Sequence, residues 1–154
     1  MIAKLGKWIR EFTEDQEAGP GGDSEWATVM ANLLVEAAMA DGKLDPNERS
    51  RILHLLTDQL ERAAPDAHAI LDESIAAHDT RVEIHGLVRQ IRTDTEMQDR
   101  IIILEMIWVV VLADSHIDAH ESQLMRRLAG LLFIDDVEAG LAAKRAKTRL
   151  GLVH

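Results

Sequence analysis

Apolar positions recur at helical spacing along almost the whole chain. Ile2, Leu5, Trp8, Ile9 and Phe12 form one stripe, with Lys4, Lys7 and Arg10 off it. Trp26, Val29, Met30, Leu33, Leu34, Ala37 and Ala38 then follow the i, i+3, i+4, i+7 template up to Asp41. A helix carrying Ile52, Leu55, Leu56 and Leu60 ends before Pro65, and a shorter one over 66–77 turns Ala67, Ile70, Leu71 and Ile75 inward. Asp79 is placed to cap a further helix through Val82, Ile84, Leu87, Val88 and Ile91, and Thr93 or Asp94, with Glu96 beyond, opens a long run to Asp114. That run is rich in β-branched residues (Ile101–Ile103, Val109–Val111), which favour strands. Its length decides for helix, and apolar residues around most of its circumference predict the central, most buried element. One more helix buries Met125, Leu128 and Leu132, and a last one runs from Asp135 and Glu138 through Val137 and Leu141 to about Lys147.

The pattern therefore predicts an all-α, single-domain bundle of about seven helices over residues 24–147. An amphipathic helix over 1–12 precedes it. Residues 13–23 form an acidic linker containing Gly19-Pro20-Gly21-Gly22, which no regular element tolerates, and 148–154 form a basic tail expected to fray.

One phrase occurs twice within the body. Ala40-Asp41-Gly42-Lys43-Leu44-Asp45-Pro46-Asn47-Glu48 returns as Ala113-Asp114-Ser115-His116-Ile117-Asp118-Ala119-His120-Glu121. Setting Leu34 against Ile107 aligns two helix–turn–helix units without gaps, predicting two pseudo-symmetric halves. Asp45 and Asp118 are N-cap residues with a Glu three positions on, the capping-box spacing, and Pro46 suits the first helical position. Capping thus accounts for Asp45, Glu48, Asp118 and Glu121. Asp41 and Asp114 fall at helix C-termini, where the macrodipole disfavours an anion. Either a local turn through the following N–H groups or a shared cation compensates them. The phrase is not an EF-hand loop, which needs oxygen ligands at positions 3 and 12: counted from Asp41 these are Lys43 and Ile52. His116 and His120 flank Asp118 and would add imidazole to a zinc site in the second copy, less readily than the carboxylates would take a hard cation.

The doubled Ala-Asp-x-x-(Leu/Ile)-Asp-x-x-Glu motif and the helical spacing between its copies resemble the tellurite-resistance TerB family over about residues 24–147. The resemblance implies a compact helical bundle with its acidic residues on one face. It also implies a bacterial stress-response protein of the cytoplasm or the inner face of the membrane, non-catalytic, metal-binding and linked to partner proteins. Carried onto this chain, the implied metal positions are Asp41, Asp45, Glu48, Asp114, Asp118 and Glu121, taking Ca²⁺ or Mg²⁺ ahead of Zn²⁺. Ser115 departs from the Asp-Gly of the first copy.

Composition narrows the classes further. Of 154 residues, 27 are acidic and 17 basic, a formal charge of −10, which repels nucleic acid; five aromatics are too few for a base-stacking platform. There is no cysteine, hence no thiolate metal site and no cysteine nucleophile. No signal peptide and no span of bilayer length is expected; Glu105 interrupts the most apolar stretch and is expected to pair with an Arg or Lys or to reach the surface. No phosphate-binding Gly loop, HExxH or GxSxG occurs, so a metal-dependent hydrolase built on the acidic cluster is the weakest reading. The stripe Ile2, Leu5, Trp8, Ile9 and Phe12 docks on the body or on a second copy, giving a homodimer. The alternative is a peripheral membrane adaptor, with Trp8 at headgroup level and the three cations on lipid phosphates.

Overall fold

In a computed structural model of the chain, described residues are 5–14, 24–39, 44–79, 87–113 and 119–152, with backbone alone for 24, 77–79 and 119–120. Eight α-helices occur among them: α1 (Leu5–Glu14), α2 (Ser24–Ala38), α3 (Pro46–His54), α4 (Ala64–Asp79), α5 (Leu87–Asp94), α6 (Met97–Ala113), α7 (Ala119–Leu131) and α8 (Asp136–Arg149). No strand occurs among the described residues. The all-α class is as the pattern predicted, with seven helices in the body and one before it.

The two halves are α2–α3–α4 and α6–α7–α8, so the repeat includes a third helix beyond the helix–turn–helix pair. Within each half the first helix packs on the third: α2 on α4, and α6 on α8. The halves then exchange their second helices. α7 lies on α2, and the wide π-type turn at Leu55–Gln59 that continues α3 lies on α6. In that turn the Thr57 hydroxyl bonds back to the Leu53 and His54 carbonyls, and the Leu60 N–H reaches Leu55 O, i to i+5.

The most buried helix is α2, not α6. Ten of its residues, from Trp26 to Ala38, are buried, because α4, α5 and α7 all pack on it. α6 leaves Ile101, Ile102, Trp108, Val109 and Val110 only partly buried. An apolar circumference specifies burial only if neighbours cover every side.

Several boundaries shift. α1 runs through Glu14, two residues past its expected end, and the Thr13 hydroxyl bonds to Ile9 O and Arg10 O inside the helix. α4 continues through Asp79, expected to cap the next helix; Val82 and Ile84 lie outside the described residues. Thr93 and Asp94 belong to the last turn of α5, the Thr93 hydroxyl bonding to Arg89 O, and α6 starts only at Met97. Val137 and Leu141 face solvent at 72% and 43% exposure, while Ala142 and Ala146 are fully buried. α8 packs on α6 through small side chains and turns its large apolar ones, Val137 and Leu141, outward. Nor does its end fray at once. It runs through Arg149, and Gly151 (φ 76°) closes it with Leu152 N–H on Lys147 O and Gly151 N–H on Thr148 O.

α1 docks on the body. Leu5, Trp8 and Phe12 are buried and Ile9 partly so, Trp8 meeting Trp26 edge-on with ring centroids 5.7 Å apart. Arg149 of α8 stacks over the Phe12 ring at 3.7 Å and donates to Phe12 O at 3.0 Å. Arg149 also lies 3.8 Å from Glu105, whose other oxygen accepts from Arg145 Nε at 2.8 Å, so Glu105 is paired with bases rather than turned to the surface.

Candidate functional site

The site grows from the start of α3. Asp45 is extended (φ −65°, ψ 142°) and accepts the Asn47 N–H at 2.6 Å; Glu48 Oε1 accepts the Asp45 N–H at 3.1 Å; Pro46 occupies the first helical position, where no N–H is needed. The expected capping box is therefore present in the first copy. Asp118, which would cap α7, lies outside the described residues.

Each repeated glutamate is also held by an arginine of the opposite half. Glu121, in the first turn of α7 and 4% exposed, accepts from Arg51 Nε of α3 at 2.5 Å. Glu48 lies 3.6 Å from Arg127 of α7 through Oε2. The arrangement is reciprocal: each helix gives one carboxylate and receives one guanidinium. It departs from the sequence repeat, since Arg51 stands three residues after its helix's glutamate and Arg127 six after. Buried carboxylates require such partners, and a bonded guanidinium is the least costly to desolvate.

Of the expected metal positions, Asp45, Glu48 and Glu121 lie among the described residues, with the oxygens above committed to N–H groups and arginines. Asp41, Asp114, Asp118 and His116 lie outside them, as does the side chain of His120. Among the described residues no group of three or more His, Asp or Glu is placed to hold a metal ion. Of the docking residues, Leu5, Trp8, Ile9 and Phe12 face the body as above, and Ile2 lies outside the described residues. No helix among the described residues is long and apolar enough to cross a membrane.

Two polar anchors carry no motif. Glu36 of α2 reaches the start of α5, where its Oε2 accepts the Val88 N–H at 3.2 Å. Burial raises its carboxyl above the ordinary range, against the Val88 and Leu87 amides and Arg92, which pull it down. Arg100 is buried and donates to Leu132 O (2.8 Å) and Thr95 O (2.9 Å), covering the carbonyl end of α7 together with Arg92, which donates to Leu131 O at 3.0 Å. For Glu36 the sequence signal was a charge on an otherwise apolar stretch, whereas Arg100 stands where a polar run gives way to an apolar one. A cleft of about 400 Å³ between α1, α5 and the start of α6 is lined by Leu5, Ile9 and Ile91, with Asp94 and Asp99.

No curated protein and no solved structure matched the chain. A family model described as tellurite resistance protein TerB matches residues 27–144, from the first turn of α2 into α8, leaving α1 outside the matched span. With two three-helix halves joined through their repeated acidic helix starts, and most of its length matched, the chain belongs to the TerB family.

Proposed function

We propose that this protein is a non-catalytic TerB-like stress-response protein whose repeated acidic turns bind a divalent cation, a basic partner surface, or both. The supporting observation is the reciprocal Glu48–Arg127 and Glu121–Arg51 clamp, which fixes the two helix starts into which the turns lead. Because Glu48 and Glu121 are committed to that clamp, the cation role falls first on Asp41 and Asp114, with Asp45 and Asp118 in support. Carboxylate donors without thiolates suit Ca²⁺ or Mg²⁺ ahead of Zn²⁺.

Calorimetric titration of Ca²⁺, Mg²⁺ and Zn²⁺ tests this on the wild type and on Asp41→Asn/Asp114→Asn. Binding heat and a raised melting temperature are expected for the wild type and lost in the variant. No heat and no thermal stabilisation from any of the three ions overturns the cation half. The membrane-adaptor alternative would require α1 to leave the body, because Leu5, Trp8 and Phe12 are covered where it is docked.

A further inference from the structure

The outer face of α8 carries two of the five large apolar side chains exposed among the described residues. Val137 and Leu141, four residues apart, stand on one solvent-facing ridge with Lys144, opposite the buried Ala142 and Ala146. Gly140 lies beside that ridge in the helix interior, where glycine is unfavourable. A Cβ built there meets nothing within 4 Å, so packing within the monomer does not call for it.

Charges flank the ridge in a particular order. At 3.6 residues per turn, Asp136 and Lys147 fall on one flank, Glu138 and Arg145 on the other. Asp136, Glu138, Lys144 and Lys147 take part in no ion pair among the described residues. Arg145 gives its Nε to Glu105, yet its side chain stays 47% exposed. The helix dipole accounts for acids at the start and bases at the end. It accounts for neither the apolar ridge nor the glycine.

We propose that α8 is the seam of a symmetric homodimer in which two copies of the helix pack antiparallel. The argument is charge self-complementarity. Both flanking pairs are centred on the same point of the helix, between Leu141 and Ala142. A single twofold axis there sets Asp136 against Lys147 of the second copy and Glu138 against Arg145 of the second copy, each contact occurring twice. The same axis brings the two Leu141 side chains together, and Gly140 lets the backbones approach. A helix of this length spans about 21 Å, a contact smaller than the roughly 1,600 Å² of a standard interface, so the pairing is concentration-dependent. The proposal is independent of cation binding, because α8 carries none of the repeated acidic residues.

Sedimentation equilibrium of the full chain, from micromolar to near-millimolar concentration, tests it. The mass should rise from 17.2 kDa toward twice that value. Leu141→Lys and Lys147→Asp should each stay monomeric with unchanged helical circular dichroism, since both positions are exposed. Asp136→Lys combined with Lys147→Asp restores the pairing in reverse and should dimerise again. A wild type monomeric throughout overturns the proposal, as does a dimer indifferent to Leu141→Lys and Lys147→Asp. A dimer lost in Lys147→Asp but not recovered in the double variant overturns the antiparallel register.

Discussion

Glu36 shows how one side chain can carry an opposed pair of effects. Its carboxylate accepts the amides at the start of α5, which favours the charged form, yet burial outweighs them and raises its pKa. A carboxyl whose folded pKa exceeds its unfolded value favours folding when protonated, and that advantage is lost as pH rises through the folded value. Glu36→Gln keeps an acceptor for the Val88 N–H without a charge to bury. Thermal denaturation at about pH 7 should therefore show the variant melting above the wild type. The difference should close on acidification below the ordinary carboxylate pKa of about 4.3, where both states of the wild type are protonated. Equal melting temperatures at both pH values would mean that the amides and Arg92 offset burial fully.

At the scale of elements, α1 and α8 show what hydrophobic patterning could and could not predict. For α1 the stripe Leu5, Trp8, Phe12 is the buried face, because a short helix with large apolar residues on one side has only that side to give. In α8 the large apolar residues Val137 and Leu141 face solvent, and the buried face is Ala142 and Ala146. Close helix packing selects small residues, and a pattern weighted by side-chain size overlooks them. The capping box at Asp45 and Glu48 was readable because all its partners lie within three residues. Glu121 and Arg51, 70 residues apart, were not, since nothing local says which arginine a carboxylate will meet. Trp8→Ala should destabilise the whole protein by about 3–5 kcal/mol in chemical denaturation, as for a fully buried large aromatic. A loss under about 1 kcal/mol would show that α1 spends much of its time off the body.

For the molecule as a whole, the crossed Glu48–Arg127 and Glu121–Arg51 pairs add polar ties between two halves that share one hydrophobic core. Removing one member of the more buried pair, as in Arg51→Ala, should cost about 3–5 kcal/mol because it takes a guanidinium away from the buried Glu121 carboxylate; Arg51→Met with Glu121→Leu should recover most of that. A double-mutant cycle measured by urea denaturation checks both statements, and additive losses would show that the pair is not coupled. The contact between Arg149 and Phe12 spans 137 residues of sequence, so Phe12 gains this part of its cover only after α8 has been made. At ribosomal rates of about 5–20 residues per second, Phe12 lacks that cover for roughly 7–27 s of every synthesis. For that interval the Phe12 ring is open to whatever is near the ribosome exit, and the guanidinium of Arg149 is what closes over it.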